Sequence, residues 1–215
     1  MELAPHDLLK IQDGNVLEKS QKHPAWVDKV LRQVPFVVVR RAPLQGNLIP
    51  IGVRGETRQD RFGGFLADTQ IMDKITPEDL VRRKTWRQTP RFEKLRIFQL
   101  LESVDMLLLK RGFAWGPVGS VGFELATGMP VVSDTSDLDM VIRCPQLVRV
   151  CEAVQLVQEL AVSAVFIDVQ LETSYGGVSL LEYARGTSPV LLRTVEGVKL
   201  TGNPWNDKEL GGELI

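Results

Sequence analysis

The stretch that decides the fold begins with GSVGFELATG at residues 119–128 and continues with SDLDMVI at residues 136–142. The first part follows a short predicted strand and indicates a turn into a short helix that a glycine closes. The second part predicts a strand that opens on Asp-x-Asp, and FIDV at residues 166–169 predicts a later strand with a carboxylate among apolar residues. A strand, helix, strand order is typical of an α/β (α+β) protein in which helices flank a mixed sheet.

Three aspartates in these motifs are candidates for a catalytic metal site. Because side chains alternate along a strand, Asp137 and Asp139 are expected on one face, about 7 Å apart. Their repulsion is costly unless a cation or a proton lies between them, and Mg²⁺ (or Mn²⁺) prefers oxygen ligands of this kind. If the strand of Asp168 lies beside the Asp-x-Asp strand, three carboxylates converge in a site suited to phosphoryl or nucleotidyl transfer.

Gly119 and Ser120 are the candidate phosphate-binding residues. A glycine lets the backbone approach a ligand closely, the N-terminus of a following helix offers free N–H groups, and the serine adds a hydroxyl. Each motif alone is commonplace, since Gly-Ser and Asp-x-Asp are frequent in turns and Asp168 could lie on a solvated strand face. Their occurrence in this order, each at the predicted place on a strand, is much more specific.

The rest of the chain suggests three parts: an N-terminal α+β domain over residues 1–75, a basic helical connector over 76–111 and the catalytic domain over 112–215. The clearest helix is predicted from Arg91 to Lys110, where apolar residues recur every third or fourth position. The elements expected in the first domain are a short helix at Pro5–Leu9, a helix opening at Pro24, strands at residues 36–41 and 48–55, and a polar loop from Thr57 to Gly64.

Composition and charge narrow the class of protein. The chain has 215 residues, 44% of them hydrophobic and 25% charged, which excludes collagen-like and disordered proteins. The net charge of −1 hides a division: residues 76–111 carry nine Lys+Arg against five Asp+Glu, and residues 112–215 carry six against 13. The basic run that begins at Arg82 is either a solvated helix face or a docking surface for an acidic partner, and nucleic-acid binding is less favoured.

The sequence contains no recognisable membrane span, signal peptide or cysteine-rich metal motif. No apolar run approaches the ~18 residues of a membrane-spanning helix, and no signal peptide is recognisable, so a cytoplasmic protein without a membrane partner is expected. Cys144 and Cys151 have no CxxC partner, which disfavours structural zinc and a disulfide and predicts two small buried side chains.

The Gly119-Ser120 turn, the Asp-x-Asp strand and the later Asp168 resemble the nucleotidyltransferase superfamily. The longer stretches are similar to a narrower family, the phosphoribosyl-dephospho-CoA transferase of malonate decarboxylase, also called malonate decarboxylase holo-acyl-carrier-protein synthase. The stretches that carry this resemblance are residues 119–128 with 136–139, 5–9, 49–55 and 176–194.

The resemblance implies a nucleotidyltransferase-like fold and a defined reaction. The phosphoribosyl-dephospho-CoA portion of 2′-(5″-triphosphoribosyl)-3′-dephospho-CoA passes to a serine of the apo acyl carrier protein subunit, and pyrophosphate leaves. By analogy Asp137 and Asp139 are catalytic metal ligands, Gly119 and Ser120 contact substrate phosphate, and Asp168 is a third ligand or accepts the serine proton. Two alternatives stay open: a nucleotidyltransferase acting on another protein or a small molecule, and a non-catalytic binding module with the same fold.

Overall fold

A computed structural model describes residues 2–12, 22–57, 59–161 and 163–206. The chain forms two compact units, Met1–Thr76 and Pro77–Ile215. Each unit contains its own sheet and at least one α-helix, which confirms the α/β (α+β) class. The basic segment predicted as a connector falls within the second unit from Pro77 onward, because its helices share that unit's hydrophobic core.

Among its described residues, the first unit is a five-stranded antiparallel sheet with one α-helix, α1 (Ala25–Gln33), packed on it. The sheet order is β4-β3-β2-β1-β5. Helix α1 buries Val27, Val30 and Leu31 against the sheet. Because side chains alternate along a strand, every second strand residue faces this helix. The strands are β1 (Leu8–Ile11), β2 (Phe36–Val39), β3 (Leu48–Arg54), β4 (Arg61–Ala67) and β5 (Ile71–Ile75).

Two predictions for this unit are wrong. The expected helix at Pro5–Leu9 is a turn followed by β1, whose short apolar run pairs with β2 and β5. The expected loop from Thr57 to Gly64 ends early, because β4 already begins at Arg61. Gly63 belongs to that strand, and a Cβ there would collide with the guanidinium of Arg40. The glycine therefore makes room for a long side chain and does not mark a loop.

The second unit is a six-stranded mixed sheet in the order β11-β10-β9-β8-β7-β6. Strands β7 and β8 pair in parallel, and the other pairs are antiparallel. Its strands are β6 (Ala114–Pro117), β7 (Leu138–Arg143), β8 (Ile167–Glu172), β9 (Gly177–Ser179), β10 (Val190–Thr194) and β11 (Gly197–Thr201). Its helices are α2 (Pro77–Arg82), α3 (Arg96–Lys110), α4 (Gly119–Thr127), α5 (Val150–Leu160) and α6 (Leu180–Tyr183).

Helix α3 follows its predicted apolar stripe but starts later than expected. Phe98, Leu101, Val104 and Leu108 are buried in the core of the second unit. The segment before Arg96 forms turns, so the predicted start five residues earlier is wrong. The elements from β9 to β11 lie in a region for which the sequence indicated no elements.

Two further observations concern the cysteines and the membrane. Cys144 is buried as expected, whereas Cys151 on α5 is exposed, so the prediction that both cysteines are buried is wrong for Cys151. Burial raises the pKa of the Cys144 thiol to about 12.

Across the part of the chain that the structure describes, no helix has the length and apolar character needed to cross a membrane.

Candidate functional site

The parallel pair β7–β8 brings two of the predicted aspartates to the same level of the sheet. Asp139 is the register partner of Asp168, and the N–H of Leu138 donates to the carbonyl oxygen of Phe166 at 2.9 Å. Side chains at matched positions of neighbouring strands project from the same face, about 5 Å apart at the backbone. Asp139 is half-buried and Asp168 is exposed. The expectation that the two strands are neighbours is therefore confirmed, while the functional roles of these residues stay predictions.

Asp137 lies one residue before β7 and is exposed. It leaves a turn in which the Ser136 hydroxyl accepts a hydrogen bond from the N–H of Ser133 at 3.0 Å. Within residues 2–12, 22–57, 59–161 and 163–206, no three His, Cys, Asp or Glu side chains are gathered closely enough to hold a metal ion. The donor chemistry suits a hard divalent cation, and the register places two carboxylates side by side, but the three predicted ligands do not form a closed cluster.

Gly119 packs directly against the Asp139 carboxylate. Its φ of +58° lies in the left-handed region, and a Cβ at this position would collide with Oδ2 of Asp139. The N–H of Val118 also donates to the main-chain oxygen of Asp139 at 2.8 Å, which ties the start of α4 to β7. Ser120, half-buried, is the second residue of α4. The predicted turn from strand to helix therefore lies beside one of the predicted carboxylates.

An ion pair that the sequence did not reveal holds the segment between α4 and β7. Glu124 of α4 is only 3% exposed, and Nη1 of Arg91 lies 2.8 and 2.9 Å from its two carboxylate oxygens. Its Oε2 also accepts the N–H groups of Val131 and Val132 at 2.7 Å each, while Nη2 of Arg91 donates to the Val132 carbonyl at 2.8 Å. This network fixes the approach of the chain to Asp137.

The basic segment before α3 is engaged in ion pairs of its own unit. Trp86 is fully buried, and its indole N–H donates to Glu102 at 2.6 Å. Arg87 also donates to Glu102, and this hydrogen bond holds the pKa of that carboxyl at about 2. The other pairs of this segment are Arg82 with Asp79, Lys84 with Asp105 and Arg91 with Glu124. Most of its positive charge is thus offset locally, which favours the solvated helix face over the docking surface as the interpretation of this run.

Comparisons with known proteins cover almost the whole chain. Residues 4–77 match the model of the phosphoribosyl-dephospho-CoA transferase MdcG N-terminal domain, and residues 85–204 match that of its C-terminal domain. No solved structure gives a significant match.

Curated relatives align over nearly their full length. A protein of Azotobacter vinelandii is 35% identical over 204 residues, and one of Pseudomonas putida is 39% identical over 201 residues, each alignment covering 94% of both chains. A protein of Klebsiella pneumoniae is 33% identical over 205 residues, which cover 95% of this chain and 97% of the relative. Each of these relatives carries the name phosphoribosyl-dephospho-CoA transferase.

Proposed function

Because the chain belongs to the phosphoribosyl-dephospho-CoA transferase family of enzymes, we propose that it modifies an acyl carrier protein. The donor is 2′-(5″-triphosphoribosyl)-3′-dephospho-CoA, and the acceptor is a serine of the apo acyl carrier subunit of malonate decarboxylase. The observation that carries the proposal is the alignment with curated relatives over 94% of both chains. The pairing of Asp139 with Asp168 beside Gly119 supports it, because phosphoryl transfer depends on positioning and on electrostatic stabilisation of the phosphate charge.

The proposed step is a displacement at the α-phosphorus of the triphosphate. The serine Oγ of the carrier forms a new P–O bond, the bond to the bridging oxygen of the β-phosphate breaks, and pyrophosphate leaves with that electron pair. The serine proton passes to a carboxylate or to water, and a phosphodiester remains on the carrier. Because the partner supplies the nucleophile, catalysis depends chiefly on positioning and on electrostatic stabilisation of the phosphates.

We assign the binding of phosphate and of a metal ion to different residues of the site. Gly119 and Ser120, at the first turn of α4, face the triphosphate with backbone N–H groups and a hydroxyl. Asp137, Asp139 and Asp168 are the proposed ligands of Mg²⁺ or Mn²⁺. When bound, such a cation would neutralise charge on the triphosphate and on the leaving pyrophosphate. Asp168, which is more exposed than Asp139, is either a ligand of the metal ion or the acceptor of the serine proton.

The test is a transfer reaction followed by intact mass spectrometry of the carrier. The full chain is incubated with triphosphoribosyl-dephospho-CoA, Mg²⁺ and the apo carrier subunit. We expect the carrier to gain one phosphoribosyl-dephospho-CoA group and pyrophosphate to appear in equal amount. Transfer of a nucleoside monophosphate from ATP instead would favour the nucleotidyltransferase alternative. Carrier binding without any transfer would favour the non-catalytic module.

Matched variants separate the roles of the aspartates. Asp137→Asn, Asp139→Asn and Asp168→Asn are compared with Asp73→Asn, an exposed aspartate of β5 in the first unit that is not a proposed ligand. We expect the first three to lose at least about a hundredfold in turnover, as removal of transition-state electrostatics does, and the control to keep wild-type turnover. Turnover of Asp168→Asn near the wild-type rate would exclude both roles proposed for that residue.

A further inference from the structure

An apolar pocket adjoins the candidate site at Asp168. It has a volume of about 380 Å³ and lies between the end of α5, the start of β8 and α6. Its walls are mostly aliphatic, from residues such as Leu160, Val169 and Leu180, and polar lining comes from Asp168 and Ser163. Apolar pockets of this size with a few polar groups on one side are the usual form of small-ligand sites.

Two exposed apolar side chains line this pocket. Phe166 is 59% exposed and Leu181 is 47% exposed. The backbone of Phe166 is fixed by its carbonyl, which accepts the N–H of Leu138 at 2.9 Å. A large aromatic ring that is held beside a pocket and remains exposed is suited to stacking on a planar ligand.

A second, more polar pocket shares part of its wall with the first. It also measures about 380 Å³, and the shared residues are Ala164 and Val165. Lys94 and Arg96 line it, together with Asp134. Two cations against one carboxylate leave a positive balance, which suits a phosphate group.

We propose that these pockets bind the dephospho-CoA part of the donor, with adenine in the apolar pocket and the 5′-diphosphate beside Lys94 and Arg96. This inference rests on the proposed function for the identity of the ligand. Adenine is favoured because its ring faces are apolar, while its polar edge can meet Ser163 on one side. The adenosine ribose carries the triphosphoribosyl group, so the base is also the apolar part of the donor nearest the reacting phosphorus.

The pantetheine arm fits the apolar pocket less well. Its two amides would bring N–H and C=O groups against aliphatic walls, where unpaired polar groups are costly. Its thiol end is also the part of the donor farthest from the triphosphate. The arm is therefore assigned to solvent or to the carrier protein beyond the second pocket.

The test is calorimetric titration of the full chain with adenosine, ADP, 3′-dephospho-CoA and 4′-phosphopantetheine. Phe166→Ala is expected to raise the Kd for adenosine and for dephospho-CoA about tenfold, the effect of losing one aromatic stacking contact. Arg96→Glu is expected to weaken dephospho-CoA and ADP about tenfold and to leave adenosine unchanged. Leu109→Ala, at a leucine of α3 that is 73% exposed and outside both pockets, is the matched control and should change nothing.

Each outcome decides the proposal. Unchanged dephospho-CoA binding by Phe166→Ala overturns it, and so does an equal loss of phosphopantetheine binding, which would place the arm in the pocket. If the wild type modifies the carrier while the pocket variants bind normally, this inference fails and the proposed function stands. If the wild type binds dephospho-CoA through Phe166 but modifies no carrier, the pocket stands and the proposed function fails.

Discussion

Replacing Gly119 with alanine tests how closely the start of α4 approaches the candidate carboxylates. Gly119 has a φ of +58°, and an added Cβ would meet the carboxylate of Asp139. The variant therefore combines two separable effects: a backbone penalty from the left-handed conformation and displacement of one carboxylate from its place beside Asp168. Gly128→Ala isolates the first effect, because Gly128 has a φ of +75° and no atom within 4 Å of an added Cβ.

The two effects differ in size and in the property that they change. The left-handed conformation costs a non-glycine residue about 1–2 kcal/mol, which lowers the Tm by roughly 2–8 °C for a protein of this size. Both glycine variants should show a loss in that range. A carboxylate displaced by about 1 Å from its working position costs about a hundredfold in turnover. Only Gly119→Ala should show that second loss.

The assay pairs thermal unfolding with the rate of carrier modification measured by mass spectrometry below the lower Tm. We expect equal Tm losses and a difference of about a hundredfold in kcat/KM between the two variants. Wild-type turnover by Gly119→Ala would refute the reasoning, and so would an equal activity loss in Gly128→Ala, since strain alone would then explain it.

Three other predictions follow from ion pairs and thiols of the second unit. Arg91→Met removes the cationic partner of a buried glutamate and should lower the free energy of unfolding by about 3–5 kcal/mol in urea titrations. Arg87→Met, at an exposed pair, should lower it clearly less, and similar losses in the two variants would contradict this. Hydrogen bonding to Arg87 lowers the pKa of Glu102 from 4.5 to about 2. The wild type should therefore be more stable than Glu102→Gln above pH 4.5, and this advantage should disappear as the pH falls towards 2. A difference in Tm between the two proteins that does not change with pH would exclude this linkage. Iodoacetamide at pH 8 should label the exposed Cys151 and spare the buried Cys144, whose pKa is about 12. Peptide mass spectrometry measures both rates, and equal labelling of the two cysteines would show that Cys144 is not buried.

The parts of the fold that the sequence predicted well are those with a strong local signal. Strand β7, Leu138–Arg143, lies where the Asp-x-Asp stretch predicted a strand, although Asp137 falls one residue before it, because an apolar β-branched run lies between the aspartates and a proline. Helix α4 ends at Gly128 as expected, since this glycine adopts the left-handed C-cap conformation. The apolar stripe of α3 identified its buried face even though the start of the helix was misplaced.

The parts that the sequence missed depend on contacts between distant residues. Glu124 lies among apolar helix residues, and nothing near it in sequence shows that Arg91, 33 positions away, completes its hydrogen bonds. The loop predicted at Gly63 is wrong because the space that this glycine leaves for Arg40 exists only when the sheet is assembled. For the candidate site, the order of the motifs allowed Asp139 and Asp168 to be considered together, but only strand pairing shows that they share a register.

The parallel register of β7 and β8 also determines which kinds of mutation keep Asp139 and Asp168 side by side. A substitution changes one side chain, and an added or lost codon in the loop between α5 and Phe166 can be absorbed without altering the pairing. One codon inserted between Ile167 and Asp168 would instead carry the aspartate to the opposite face of the sheet, together with every residue after it in the strand. Lineages of this enzyme should therefore vary in length around β8 and keep a constant count of residues within it.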